Sequence, residues 1–599
     1  MPSSLRIAAL VLLAIAVAAL PLFEHGFIVT LMNYIGIYTL ITLGLVLLTG
    51  CGGITSFGQA AFVGLGAYAT AYLSTAAGLS PWVGLLAGIV ITSLVALVLG
   101  YITLHLGGHY LPLTTIAWGM AIYYSFGNFQ FLGSHGGIGD IPPISLFGYS
   151  FDEPQKLYYI IWIFCGIALL GAANLLKSRQ GRAIRALRGG KGMSESLGID
   201  VFWVRLCVFI FAAALAGIAG WLYAHMTRFV SPAPFGLNAG IEYLLMAVLG
   251  GAGTIAGAVV GAASVALLKN WLQGIPQWIE ATIPGIPTTN SAVFEIVVFG
   301  CLFILLLHKS RNGIVPLVRQ YLPQPIQAAP AAAASVATLP KKQAPASGAP
   351  LLQIDGLTKR FGGLVAVDNV SFEVRAGTIT ALIGPNGAGK STTFNLITGA
   401  LPASAGKVTF AGRELSGIKP YEVVSLGMAR TFQHVKLRPT MTLLENVMLG
   451  TYRRTQAGFI AGALRLDRAE EGAVYAEAMR ELERVGLADK AYELAGNLAL
   501  GQQRVLEVAR ALAAGPLLIM LDEPAAGLRS LEKQALSSLL RSLRADGMTI
   551  LLVEHDMDFV MSLADRVVVL DFGKKLAEGG PAEIQANAAV QEAYLGSVE

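Results

Sequence analysis

The stretch Gly384-Pro385-Asn386-Gly387-Ala388-Gly389-Lys390-Ser391-Thr392 carries every defined residue of a phosphate-cradling loop. Its glycines let successive backbone N–H groups turn toward phosphate oxygens, and the helix that follows adds positive potential at its N-terminus. Gly384, Asn386, Gly387, Gly389, Lys390, Ser391 and Thr392 are therefore the candidate contacts of a nucleoside triphosphate. Lys390 suits the β- and γ-phosphates, and the Ser391 hydroxyl suits Mg²⁺. A second group lies downstream, where the apolar run Leu517-Leu518-Ile519-Met520-Leu521 ends in Asp522-Glu523. Two carboxylates at the end of a buried strand divide the work of phosphoryl transfer: Asp522 for Mg²⁺, and Glu523 to orient or deprotonate the attacking water. ATP and Mg²⁺ are the cofactors this pattern asks for.

These groups need a strand, loop and helix to hold them. Thr378–Ile383 reads as a buried strand and Thr393–Ile397 as the first turns of a helix, while the alternation around Ser371-Phe372-Glu373-Val374 predicts a half-buried sheet ahead of the loop. An α/β P-loop domain over 351–599 follows.

Composition shows that this is half of the chain. Its 599 residues exceed one ordinary domain, and a mean hydropathy of +0.62 with 13% charged residues places part of it in lipid. Apolar runs of spanning length cover Ile7–Phe23, Phe27–Thr49, Ile54–Leu73, Trp82–Leu104, Tyr110–Leu132, Leu157–Leu176, Val204–His225, Ile241–Leu272 and Ser291–His308. Ile241–Leu272 is too long for one comfortable span and is broken at Gly250-Gly251-Ala252-Gly253, which predicts two shorter helices around a cavity-lining break. The expectation is an all-α membrane domain of about ten spans over 1–322. An Ala/Pro-rich tether at 323–350 would join it to the ATPase domain. Ile7–Phe23 reads either as a first span or as a cleaved signal peptide.

Basic residues orient the spans. Lys177, Arg179, Arg182, Arg185, Arg188 and Lys191 crowd one loop, whereas Gly133–Lys156 carries Asp140, Asp152 and Glu153 against a single lysine. The first loop is expected on the cytoplasmic side and the second outside, with the nucleotide domain also in the cytoplasm. The net charge of +5 concentrates in such loops and calls for no nucleic-acid partner. The four cysteines lie in apolar surroundings without ligand spacing and read as core residues. Asn33, Gln59, Glu242 and Glu295 are polar positions within the spans and candidates to line a translocation path; for Glu242 and Glu295, near the external ends of their runs, contact with headgroups or water is the favoured reading.

Two sets of passages carry a family resemblance. Gly53-Ile54-Thr55-Ser56-Phe57-Gly58-Gln59-Ala60-Ala61-Phe62, Arg185-Ala186-Leu187-Arg188 and Leu249-Gly250-Gly251-Ala252-Gly253-Thr254 resemble the permease of branched-chain amino-acid (Liv-type) ABC importers. Arg430-Thr431-Phe432-Gln433, Asn497-Leu498-Ala499-Leu500-Gly501-Gln502-Gln503-Arg504, Asp522–Leu528 and Glu554-His555-Asp556 resemble the ATPase of the same importers. The resemblance implies that Phe361 stacks on adenine, Gln433 senses Mg²⁺ and contacts the permease, and His555 reaches the γ-phosphate. It also implies that Ala499, Leu500, Gly501 and Gln502 form a signature closing on a partner's nucleotide, and that the segment holding Arg182, Arg185, Arg188 and Leu197 couples ATPase to permease. Three departures stand out. Ala499 replaces the general signature serine, which implies a weaker contact at the partner's site and normal turnover at this chain's own; Arg529-Ser530 replaces Asn-Pro; and Gly189-Gly190-Lys191-Gly192 replaces an acid-rich helix, implying a shorter coupling helix.

The expected function is ATP-driven import of branched-chain or related hydrophobic amino acids across a bacterial inner membrane. The implied partners are a second permease, a second ATPase, as a hetero-assembly or a homodimer, and a periplasmic binding protein. Urea, short amides, and aromatic or other carboxylates are alternative substrates. A membrane-anchored regulatory ATPase is the alternative of another class, and glycine-broken interior helices argue against a mere anchor.

Overall fold

The computed structural model describes residues 15–24, 26–106, 110–282, 313–321, 338–340, 342–343 and 345–595, with isolated positions between 300 and 308. The chain divides into two compact units.

The first unit is helical. Its long apolar helices are Phe27–Leu45, Gln59–Thr75, Pro81–Thr103, Tyr110–Asn128, Pro154–Lys177, Val201–Thr227, Leu237–Gly251 and Ile255–Thr282. Five described helices are long and apolar enough to cross a membrane. The predicted break in Ile241–Leu272 is present: one helix ends at Gly251 and the next begins at Ile255. Glycine permits the close return of the chain, since a Cβ on Gly250 would meet the Gly257 carbonyl at 1.9 Å and one on Gly261 the Met246 carbonyl at 1.9 Å. The break packs against a second irregularity, the π-helical turn Val46–Cys51, where a Cβ on Gly50 would lie 2.2 Å from the Gly253 nitrogen. The run Ser291–His308, with Glu295, and most of Ile7–Phe23 lie outside the described residues.

The second unit holds Ser178–Val201 with the chain from Ala329 to Ala461 and from Leu466 to Glu599. Its main sheet runs, edge to edge, Lys574–Gly579, Arg566–Asp571, Ile379–Ile383, Thr549–Val553, Leu518–Asp522 and Met428–Arg430, parallel except for the first strand. The three central strands are buried at every residue, as expected of parallel strands covered on both faces. Successive side chains enter opposite cores: Ile379, Ala381 and Ile383 face one cluster and Leu382 the other. A four-stranded antiparallel sheet (Leu364–Arg375, Pro350–Phe361, Ala405–Phe410, Arg413–Glu414) and a helical group around Leu443–Gly450, Arg468–Arg484 and Leu500–Leu512 complete the unit.

The stretch expected as a tether makes specific contacts with this unit near its end. Leu339 is buried in the helical group, and the carbonyls of Leu339 and Pro340 accept from Arg454 at 3.1 and 3.2 Å. Lys342 donates to the carbonyls of Val424 and Ser425, and burial lowers its pKa to about 8.

Candidate nucleotide site

Strand order creates the site. Thr549–Val553 lies between Ile379–Ile383 and Leu518–Asp522, so their carboxyl ends bring the glycine loop, Asp522-Glu523 and Glu554-His555 side by side. Ligands of open α/β sheets bind at such ends.

The loop is held by backbone that only glycine tolerates. Gly384 has φ +150° and a Cβ there would sit 2.1 Å from the Leu570 carbonyl; Gly389, at φ +94°, would meet the Ala366 carbonyl at 2.6 Å. The helix Lys390–Ile397 starts directly after it. Lys390 Nζ lies within the loop, donating to the carbonyls of Gly384 at 2.7 Å and Pro385 at 2.9 Å, and burial lowers its pKa while Glu523 opposes that shift. The cation is thus held at the loop centre by loop carbonyls alone.

Around Glu523 the acidic and polar groups converge. Gln433 Nε2 donates to Glu523 Oε2 at 3.1 Å, and His555 Nδ1 stands 3.7 Å from the same oxygen. Glu523 is one of few non-glycine residues at positive φ, +45°, a conformation usually found where the surroundings impose it. His555 stays 55% exposed on the open side. Asp522 is buried, which raises its carboxyl pKa, with Arg430 opposing; its Oδ1 accepts no hydrogen bond. Phe361, 46% exposed, ends its strand with Lys359 Nζ 5.1 Å from the ring centre.

Ala499 precedes the helix Leu500–Leu512, whose first turn carries Leu500, Gly501 and Gln502. The Glu532 side chain packs over Gly501, where a Cβ would meet its Oε1 at 2.3 Å. This helix also holds residues the motifs did not single out. Arg504 Nη1 donates to the Phe432 carbonyl at 2.8 Å and Nη2 to that of Gln433, Arg510 Nη1 donates to the Lys436 carbonyl at 2.7 Å, and Glu507 Oε1 accepts from the Lys436 nitrogen at 2.8 Å. The loop carrying Gln433 is thus clamped by one face of the signature helix. Charges recurring at three-residue spacing among apolar Leu506, Val508 and Ala509 were the available signal. Arg430 was quoted only as part of a motif; its guanidinium lies between Phe394 (5.0 Å) and Phe432 (4.7 Å) and donates to Asn395 and Thr398 of the P-loop helix, and burial lowers its pKa to about 10. Glu554, which the motif names without giving it a role, is fully buried and accepts from the Ala525 nitrogen at 2.7 Å.

The segment expected to couple lies within this second unit. Gly190, at φ +93°, separates the helices Arg179–Ala186 and Lys191–Ser196. Arg182 forks onto Glu471, Nη1 to Oε2 at 2.6 Å and Nη2 to Oε1 at 2.9 Å. Arg185 Nη2 pairs with Glu445 Oε1 at 2.8 Å. Arg179 packs on Tyr452 with its guanidinium 3.9 Å from the ring centre. Burial lowers the pKa of Arg438, with Arg188 and Arg185 close enough to add to the shift, and Leu197 is buried.

A glycine loop, a strand-end acid pair and a signature helix on a P-loop sheet, in one chain with a helical unit of span-length apolar helices, define an ABC transporter with its ATPase built in. Comparison with known families agrees: residues 27–307 match the branched-chain amino acid transport system permease component, 367–526 the ABC transporter domain, and 574–599 the branched-chain amino acid ATP-binding cassette transporter. The chain is 45% identical over 250 residues to the high-affinity branched-chain amino acid transport ATP-binding protein LivG of Salmonella typhimurium, covering 41% of this chain and 98% of LivG. It is 42% identical over 250 residues to BraF of Pseudomonas aeruginosa, again 41% and 98%, and 36% identical over 247 residues to a probable LivG of Archaeoglobus fulgidus, 41% and 96%. The chain belongs to the branched-chain amino-acid ABC transporter family, as a membrane permease fused to an ATP-binding, ATP-hydrolysing domain.

Proposed function

We propose that this chain imports branched-chain or related hydrophobic amino acids across a bacterial inner membrane, with its domains at 1–322, 323–350 and 351–599 and its ATPase in the cytoplasm. The observation that carries the reading is the union, in one chain, of a permease-family segment at 27–307 with an ATPase 45% identical to LivG over nearly all of LivG. Importers of this type work with other subunits and a binding protein; here a second permease, a second ATPase and a periplasmic binding protein complete the assembly.

In this reading the loop N–H groups and Lys390 hold the phosphates and Phe361 stacks on adenine. Ser391, Gln433 and Asp522 would hold Mg²⁺, and the buried Oδ1 of Asp522, which accepts no hydrogen bond, fits a cation ligand. When bound, Mg²⁺ draws charge from the β- and γ-phosphates. Glu523, steadied by Gln433, orients the attacking water and accepts its proton, while His555 contacts the γ-phosphate. Ala499–Gln502 serve the partner's nucleotide, and this chain's own is completed by the partner's signature. Gln433 and the Arg182–Leu197 segment pass the state of the nucleotide toward the permease, through the loop that Arg504 and Arg510 clamp.

Uptake into proteoliposomes holding the assembled complex tests this, with and without candidate binding proteins and with leucine, urea, short amides and aromatic carboxylates compared. ATP-driven inward flux of branched-chain amino acids that requires a binding protein is the expected result. Flux without a binding protein overturns the import mechanism, and flux of another substrate class alone overturns the substrate.

A further inference from the structure

Within the second unit, the helix Lys191–Ser196 and the end of the P-loop helix border a cavity of about 460 Å³. Val423, Val424 and Met428, all buried, form its apolar side. Its charged lining residues are Lys191, Arg430 and Lys436 against the single carboxylate of Glu195, and Lys191 Nζ already stands 3.7 Å from Glu195 Oε1. Arg430 and Lys436 form no ion pair among the described residues. Arg430 Nη1 donates to Asn395 at 3.1 Å and to Thr398 at 2.8 Å, both neutral, and its Nη2 donates to none of the described residues. Asp522 acts on Arg430 only through space. Lys436 Nζ stands 4.6 Å from the centre of the Phe432 ring, and the Arg430 guanidinium stands 4.7 Å from the same centre. Glu507, whose charge Lys436 also feels, is held by Arg504 and Arg510. Two like charges gathered at one ring repel each other, and an anion in the cavity that both residues line offsets that repulsion.

We propose that this cavity binds a small monocarboxylate with a branched apolar tail and no ammonium group, its carboxylate held by Arg430 and Lys436 and its tail against Val423, Val424 and Met428. Charge sets the choice. A monoanion neutralises part of the positive excess of the lining, whereas an amino acid brings its own cation and leaves that excess as it was. Inorganic phosphate satisfies the cations but leaves the apolar side unfilled. A ligand in this space also lies against Lys191–Ser196, so occupancy braces that helix on the ATPase and slows the hydrolytic cycle. The bracing rests on the coupling role proposed for residues 182–197; the binding does not.

The test uses the full chain assembled with its partner subunits in nanodiscs. Saturation-transfer NMR reads binding of 4-methyl-2-oxopentanoate, L-leucine and pyruvate at millimolar concentration, and phosphate release is followed in a separate experiment. Lys436→Met removes one cation, and Ala400→Glu sets a carboxylate at the exposed rim of the cavity. Each should lower the 4-methyl-2-oxopentanoate signal at least about tenfold, the worth of one charged hydrogen bond. Pyruvate, which lacks the tail, should bind at least about tenfold more weakly. Any leucine signal should be the same in the wild type and in Ala400→Glu. Without ligand, Ala400→Glu should hydrolyse ATP as the wild type does; with 4-methyl-2-oxopentanoate, hydrolysis should slow in the wild type alone. A 4-methyl-2-oxopentanoate signal that survives both variants overturns the site. Full displacement by equimolar inorganic phosphate, or a leucine signal that falls in Ala400→Glu, overturns the choice of ligand. Hydrolysis that bound ligand fails to slow, in an assembly whose amino-acid uptake is intact, overturns the bracing and leaves the import reading standing.

Discussion

Replacing Glu471 with glutamine tests how the segment 178–201 is held on the ATPase. Arg182 is 4% exposed and binds Glu471 through both terminal nitrogens, at 2.6 and 2.9 Å, while Glu471 is 21% exposed. Glu471→Gln leaves a nearly buried guanidinium facing a neutral amide. Removing one partner of a buried pair costs about 3–5 kcal/mol, and the partial access of water to Glu471 puts the loss near the lower end, about 3 kcal/mol. At 1.4 kcal/mol per decade this weakens docking on the order of 100-fold. Amides of Arg179–Ala186 should then exchange hydrogen up to roughly 100-fold faster in Glu471→Gln, and transport per ATP should fall in proteoliposomes while hydrolysis continues. The cost lies in the lost two-pronged contact with a carboxylate at a nearly buried guanidinium, so Arg182→Met/Glu471→Gln should recover most of the protection that Glu471→Gln loses. The neighbouring pair is a built-in control: Arg185 and Glu445 are both partly exposed, so Arg185→Met should change protection by less than about 1 kcal/mol. Wild-type exchange in Glu471→Gln, or a double variant no better than the single one, refutes the reasoning.

Gly384→Ala should abolish ATP binding and lower the melting temperature, because φ +150° is closed to alanine and its Cβ would meet the Leu570 backbone carbonyl at 2.1 Å; calorimetry with a nucleotide titration checks both. Glu523→Gln should retain ATP affinity yet lower turnover at least about 100-fold, read by phosphate release in the assembled complex, because the group that accepts the water proton is lost. Near wild-type release would remove Glu523 from the chemistry. Burial holds Lys342 at about 8 against 10.5, so the folded chain releases this proton before the unfolded chain does. Between pH 8 and about 10.5 the unfolded state binds more protons, and the wild type should gain stability relative to Lys342→Met as pH rises. A difference in melting temperature that stays flat over that window contradicts it.

Local pattern made much of this protein readable. The P-loop and the strand-end acids are contiguous because one strand, one turn and one helix N-terminus must be contiguous to do their work, so Gly384–Thr392 and Asp522-Glu523 announce themselves. The same holds for span-length apolar runs and for the break at Gly250–Gly253. The partner of Glu242 is not legible in the sequence, because Lys269 is 27 residues away within an apolar run. Alanine and proline composition marks a tether but says nothing about Leu339 finding a place in the helical core.

By itself the sequence determined which elements exist and which chemistry each end could support, because hydrophobic period, glycine placement and motif spacing act over a few residues. Tertiary structure alone decided who meets whom. Arg182 and Glu471 are 289 residues apart, and Arg504 is 71 from the Gln433 carbonyl it holds. Such pairs are set by strand order and helix packing, and a charged residue in sequence looks the same whether water or a distant partner will satisfy it. The physical reason is desolvation: a guanidinium enters a nearly dry site only where an acceptor waits, and only the folded chain brings that acceptor within 3 Å.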